Sequence, residues 1–145
     1  MTDWTRVKHF KRIEWVKDPD LALPDLVYIM DEMRSVAGAP FIIHVCFDDS
    51  GHEPNSAHFA TKRDFAYAVD FHIHGWSLMD QWLFIEKWPI MGLGIYPFWK
   101  NPGLHIDLRR HSLEHPTLGR RWWRNEQGEY LSFNKEMISI LMKDR

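Results

Sequence analysis

The chain has little cysteine, no long apolar run and no excess of one charge, and each absence excludes a class of protein. Cys46 is the single cysteine in 145 residues, so an intrachain disulfide and a zinc site of several cysteines are excluded. The sequence has no run of about 18 apolar residues, which excludes a membrane-spanning helix. The formal net charge of -2 predicts no nucleic-acid partner, because phosphate recognition needs a basic surface.

The start of the chain lacks the apolar segment of a secretory signal, since residues 1–12 are mostly polar and charged. We therefore expect synthesis in the cytoplasm. With 145 residues, 45% of them hydrophobic, the chain is long enough to bury one core. We expect a single domain over residues 1–145.

The spacing of apolar residues predicts short strands interspersed with helices. Steps of three and four residues indicate a helix after Asp20, ended by Gly38. Alternating or continuous apolar runs indicate strands. The predicted strands cover 41–47, 65–73, 92–96 and 104–108, a hairpin joins 120–125 to 129–133, and further helices cover 78–88 and the residues after Asn134. This pattern is typical of an α+β fold with a mainly antiparallel sheet and flanking helices.

Three residues from separate elements are candidate metal ligands. Asp70 lies in a predicted strand among apolar neighbours, where a carboxylate is costly unless it is paired or bound to a metal. His58 follows a polar loop, and His105 lies in another predicted strand. Two imidazoles and a carboxylate suit a hydrolytic zinc site, which has three protein ligands and one open position. Taken singly, each histidine could equally be a hydrogen-bonded core residue, and Asp70 could pair with an arginine.

Two blocks of sequence resemble the zinc D-Ala-D-Ala carboxypeptidase family, which shares its fold with the Hedgehog signalling domain. The run NSAH at 55–58, followed by AVDF at 68–71, is similar to the family's first zinc motif. The run GLGIYP at 92–97, followed by LHIDLR at 104–109, is similar to the second, in which a His-x-Asp strand supplies the last ligand. The resemblance covers about residues 20–125.

The resemblance implies a Hedgehog/DD-peptidase-like fold with His58, Asp70 and His105 as ligands of a zinc cofactor. It implies a zinc metallopeptidase that hydrolyses a peptide bond in bacterial peptidoglycan, as a carboxypeptidase or an endopeptidase on stem or cross-bridge peptides. Because the family includes phage lysins, it also implies delivery to the cell wall as a phage or prophage product.

The chain departs from the family pattern at three places. His58 and Asp70 are twelve positions apart, which is further than usual in the family. The stretch 46–55 has no arginine, whereas family members generally carry one there, and Pro102 stands where many members have an acidic base. Two alternatives therefore stay open: an inactive metal-binding or wall-binding module of a phage particle, and a plain domain that binds no metal.

Asp107 is the candidate general base, because alternate residues of a strand share a face and Asp107 is two positions after His105. It could instead support His105 or pair with Arg109. By the same alternation His72 and His74 share a face with Asp70, where either could stabilise an oxyanion, orient a ligand or be structural.

The remaining candidates are weaker. We expect Cys46 to be a small buried side chain, and His44 to be a core residue or a support for the metal ligands. His52 and Glu53 could reach the metal from the loop before His58, whereas Glu114 and His115 are expected to be surface residues.

Overall fold

The fold is built on one six-stranded sheet. The computed structural model describes residues 1–47, 56–58, 65–110 and 113–143. The strands are β1 (Phe41–Val45), β2 (Ala68–Ile73), β3 (Gly92–Tyr96), β4 (Gly103–Asp107), β5 (Arg121–Arg124) and β6 (Tyr130–Leu131). They lie in the order β1-β2-β4-β3-β5-β6.

All neighbouring strands are antiparallel except β3 and β5, which pair in parallel. The predicted hairpin is confirmed, since β5 and β6 pair antiparallel across a turn in which Gly128 has a φ of 82°. The predicted α+β class with a mainly antiparallel sheet is therefore confirmed. The parallel pairing of β3 with β5 was not predicted, because it joins strands that are distant in sequence.

Three helices flank the sheet at the predicted places: α1 (Pro24–Ala37), α2 (Leu78–Ile85) and α3 (Lys135–Lys143). Gly38 ends α1 in the left-handed conformation with a φ of 64°, which an L side chain rarely adopts. Ser77 caps α2 by accepting a hydrogen bond from the backbone of Asp80, and Asn134 accepts one from Met137 at the start of α3. Three short 3-10 turns, Trp4–Arg6, Arg12–Glu14 and Pro19–Leu21, precede α1.

One face of the sheet packs into the apolar core. On β2 and β4 the core side chains Val69, Phe71, Leu104 and Ile106 are fully buried, and α1 contributes Met30 and its apolar neighbours. Because side chains alternate along a strand, the residues between them point to the opposite face. That opposite face carries Asp70, His105 and Asp107, so the residues singled out for their chemistry are assembled on the side of the sheet away from this core.

Within the part of the chain that the structure describes, no helix has both the length and the apolar composition needed to cross a membrane.

Candidate metal centre

The structure brings the three predicted ligands together. Asp70 on β2 lies directly opposite His105 on β4, so their side chains stand side by side on one face. His58 reaches them from the turn at 56–58. Its Nε2 atom is 3.1 Å from Asp70 Oδ1 and 3.2 Å from His105 Nδ1, and His105 Nδ1 is 3.0 Å from Asp70 Oδ1. Among the described residues, these three are the group whose geometry could hold a metal ion.

The hydrogen bonds of each imidazole fix which nitrogen faces the others. His58 Nδ1 lies 2.9 Å from the carbonyl oxygen of Cys46, which can only accept, so Nδ1 carries the proton and Nε2 offers a lone pair. His105 Nε2 lies 2.9 Å from Asp107 Oδ2, so a neutral His105 carries its proton there and offers Nδ1. Both arrangements are typical of metal-binding histidines, whose second nitrogen donates to a carbonyl or carboxylate.

The three converging atoms match one face of a zinc tetrahedron. Bonds of 2.0–2.1 Å at tetrahedral angles place ligand atoms about 3.3 Å apart. The observed separations of 3.0, 3.1 and 3.2 Å are within a few tenths of that value. Two nitrogens and one oxygen are also a donor set that suits zinc and other transition metals better than calcium or magnesium, which prefer oxygen.

The electrostatics of the centre favour a bound positive charge. His58 and His105 are each only 2% exposed. Burial raises the pKa of Asp70, but the two imidazoles hold it well below its ordinary range. Burial lowers the pKa of His105, but hydrogen bonds to Asp107 and Asp70 outweigh this and raise it to about 10. Without a metal, a proton on His105 therefore supplies the charge that the two carboxylates require.

The turn that carries His58 is held from two sides. The Ala57 carbonyl accepts a hydrogen bond of 2.7 Å from the backbone of Tyr67, just before β2. On the other side, the Glu114 carboxylate accepts a hydrogen bond of 2.8 Å from the Ala57 backbone N–H and one of 3.0 Å from the Ser56 hydroxyl. Arg109 donates to the same carboxylate at 3.3 Å. Glu114 thus ties the His58 turn to the segment that follows β4.

The prediction that Glu114 and His115 are surface residues is wrong. The Glu114 side chain is only 14% exposed, because it is enclosed by the partners described above. The His115 ring stacks on Tyr130 with centroids 4.2 Å apart and meets the edge of Trp122 at 4.9 Å. Both residues lie on an irregular segment, where strand or helix periodicity gives no signal.

Two glycines of β3 make room for the side chains around the centre. A Cβ at Gly92 would collide with the carboxylate of Asp107, and one at Gly94 would collide with the indole of Trp122. Trp122 in turn lies against His105, with ring centroids 5.0 Å apart. The two glycines of the GLG run are therefore the feature of the sequence that indicates large side chains packed over this strand. Trp122 is one of these side chains and borders the site.

Asp107 is placed behind His105. Its Oδ2 accepts a hydrogen bond from His105 Nε2, and its Oδ1 accepts a hydrogen bond of 3.2 Å from the Arg109 backbone N–H. Burial raises its pKa, but the hydrogen bond and charge of His105, together with the backbone hydrogen bond and charge of Arg109, outweigh this effect and lower the net pKa. These contacts favour the positioning role over the base role, and the assignment of Asp107 as general base stays a prediction.

Among the described residues, the other candidate histidines do not join the metal centre. His44 was expected in the core or in support of the ligands, and this is wrong: it is exposed, and its Nε2 lies 2.7 Å from His72 Nδ1. Burial and the nearby charges of His44 and His74 lower the pKa of His72. His52 and Glu53 lie outside the described residues. Cys46 is buried, as predicted, and burial raises its pKa.

Aromatic side chains continue from the centre along the same face. Tyr96 stacks on Trp99 at 4.0 Å and meets the edge of Tyr130 at 6.4 Å. A cleft of about 230 Å³ lies beside them and is lined by Tyr96, Phe98, Trp99 and Arg124, together with the turn at 125–128. A concave surface with aromatic walls and one arginine therefore lies next to Tyr96.

Comparison with known proteins gives no relative: no protein-family model, curated protein or solved structure matches the chain. The family resemblance thus remains a sequence-based expectation.

Proposed function

We propose that this chain is a zinc-dependent peptidase that hydrolyses a peptide bond in bacterial peptidoglycan, as a carboxypeptidase or an endopeptidase. The observation that supports it most is the convergence of three lone-pair donors from His58, Asp70 and His105. Their spacing fits zinc, and the hydrogen bonds that His58 Nδ1 and His105 Nε2 make on the far side turn the other nitrogen of each ring toward Asp70. The choice of peptidoglycan as substrate rests on the resemblance of the two zinc motifs.

His58, Asp70 and His105 would hold the zinc ion, which would supply Lewis-acid chemistry for a carbonyl group and for water near neutral pH. The chain's own residues must then orient the ligands and the substrate. Asp107 keeps His105 in the tautomer that presents Nδ1. Glu114 keeps the His58 turn in place. The cleft beside Tyr96 and Trp99 offers the peptide a binding surface lined by aromatic side chains.

Tyr96 is our candidate for stabilising negative charge on the substrate. Burial raises the pKa of its hydroxyl well above the ordinary value, and the charge of Asp70 adds to this effect. The hydroxyl accepts a 3.4 Å hydrogen bond from Trp122 Nε1, which leaves its own proton to donate. A protonated phenol on the same face of the sheet as the ligands can donate to a carbonyl oxygen as that oxygen gains charge.

A second candidate function is a metal-binding or wall-binding module without activity, carried by a phage particle. The observation that favours it is the engagement of both Asp107 oxygens, with His105 and with the Arg109 backbone. A carboxylate held in this way is poorly placed to take a proton from water. On this alternative the same zinc centre stabilises the fold.

Digestion of purified peptidoglycan, with released peptides identified by mass spectrometry, separates these functions. We expect release that a chelator stops and that added zinc restores. His105→Ala should be inactive, and the exposed His9→Ala variant is the matched control. Stoichiometric zinc without peptide release would support the inactive module instead. Absence of both zinc and release would leave a plain domain.

A further inference from the structure

A second cluster of imidazoles lies on the same sheet face, outside the metal centre. His44 Nε2 and His72 Nδ1 are 2.7 Å apart, and the two rings are nearly parallel, at 20° to each other. His44 is exposed and His72 is half-buried, so solvent and ions have access to the pair. Neither histidine belongs to the group formed by His58, Asp70 and His105.

The backbone explains how the two rings meet. The pairing of β1 with β2 is regular from Phe41 to Ile43 and then shifts before Val45, so His44 lies at a bulge. A bulge re-aims the side chain of the extra residue. His72 lies two positions from Asp70 and therefore projects from the same face. The edge of Trp99 flanks His44 at 6.1 Å between ring centroids.

We propose that His44 and His72 form a second, weaker transition-metal site, with water completing the coordination. Two neutral imidazoles can share one proton at this contact. When a metal ion binds between the same two nitrogens, that proton moves through solvent to the other nitrogen of the donor ring, so each neutral ring offers one lone pair to the metal. Tetrahedral bonds of about 2.0 Å need the nitrogens about 3.3 Å apart. Rotation of the exposed His44 side chain can increase the distance between the two nitrogens from 2.7 Å to this value.

The donor type decides which ions the pair accepts. Imidazole nitrogen favours zinc, nickel and copper, whereas magnesium and calcium require oxygen ligands. Two protein ligands give a weaker site than the three of the buried centre, and the exposed position leaves room for several waters. The two sites should therefore fill in sequence as the metal concentration rises, the buried centre first.

Equilibrium dialysis of the metal-stripped full chain against zinc or nickel tests this proposal. We expect two ions per chain in the wild type, one tight and one weak. His44→Ala and His72→Ala should each keep only the tight ion. Asp70→Ala should keep only the weak one, which separates failure of the buried centre from failure of the histidine pair. His74→Ala, an exposed histidine two residues from His72, is the matched control and should bind two.

Thermal unfolding shows whether each variant is folded before its stoichiometry is read. His44 is exposed, so His44→Ala should unfold near the wild-type temperature. A wild-type stoichiometry of one, or a weak ion that persists in both His44→Ala and His72→Ala, would overturn the proposal. Loss of the weak ion in His74→Ala alone would also overturn it, because a different histidine would then be the ligand.

Discussion

Asp107 Oδ2 contacts Nε2 of His105 at 2.9 Å, while Nδ1 of the same ring faces Asp70 at 3.0 Å. One imidazole therefore joins a supporting carboxylate to a ligand carboxylate. The proton of a neutral His105 lies on the Asp107 side, and the lone pair lies on the metal side. The role of Asp107 is consequently tested through metal affinity as well as through rate.

Asp107→Asn should weaken zinc binding by about 10- to 100-fold, the usual loss when a partner of a metal-bound histidine is changed. The amide can no longer hold the proton on Nε2 as a carboxylate does. Competition with a chromophoric chelator measures the change, and Asp25→Asn on the exposed side of α1 is the control. Unchanged zinc affinity together with lost hydrolysis would instead assign Asp107 as the general base.

His58→Ala, Asp70→Ala and His105→Ala should each abolish the tight zinc binding at the buried centre. Each should also lower the unfolding temperature measured in the presence of zinc, because zinc binding no longer stabilises the folded state. Metal analysis after gel filtration and a thermal scan check both effects. A variant that keeps one zinc per chain at the buried centre removes that residue from the ligand set.

Glu114→Ala should loosen the turn that carries His58. The Ala57 N–H and the Ser56 hydroxyl lose their acceptor, and an unpaired, partly buried donor costs about 1–3 kcal/mol. We expect faster zinc release in a stopped-flow chelator experiment, while the exposed Glu126→Ala leaves the rate unchanged. Equal release rates in the two variants would show that Glu114 does not position the turn.

Tyr96→Phe should reduce peptidoglycan hydrolysis by about 10²-fold, the scale for removing one donor to a developing oxyanion. Zinc content should stay at the wild-type level, because Tyr96 is not among the ligands. The measurement is kcat on a stem peptide, with Tyr28→Phe on α1 as the control. A wild-type kcat in Tyr96→Phe would exclude the hydroxyl from catalysis.

The metal-free protein should lose stability as the pH rises from about 6.5 toward 10. The folded pKa of His105 is raised to about 10, above its ordinary value of 6.5, so the folded state holds a proton that the unfolded chain releases. The resulting stabilisation is complete below pH 6.5 and is lost as the pH approaches 10. Thermal unfolding in chelator between pH 6.5 and about 7.5 measures the start of this loss, below the range where ionisation of unfolded Cys46 contributes.

The control for that prediction is the His105→Ala variant, whose metal-free form should lack this part of the pH dependence. The zinc-loaded wild type should lack it too, because zinc takes the place of the proton. If the stability of the metal-free wild type and of His105→Ala depended on pH in the same way, the raised pKa of His105 would be contradicted.

Much of the fold could be predicted from local patterns. Apolar periodicity located α1 and β3, and the glycine after α1 located its end, because these signals depend on residues that are close in sequence. Strand alternation also placed Asp107 on the same face as His105. Predicting the Asp70–His105 contact would also have required the register of β2 against β4, which local sequence patterns do not determine.

The supporting contacts could not be predicted because they come from irregular backbone. The Cys46 carbonyl that orients His58, and the Glu114 carboxylate that holds its turn, act through atoms whose positions depend on the tertiary fold. The bulge that turns His44 toward His72 likewise follows from strand pairing and leaves no mark in the local sequence.

The most direct test of the metal centre is a crystal structure of the zinc-loaded protein with anomalous diffraction measured at the zinc edge. We predict the strongest anomalous peak between His58 Nε2, Asp70 Oδ1 and His105 Nδ1, about 2.0–2.2 Å from each. A strongest peak elsewhere, or a zinc bound through Nε2 of His105, would contradict the centre described here.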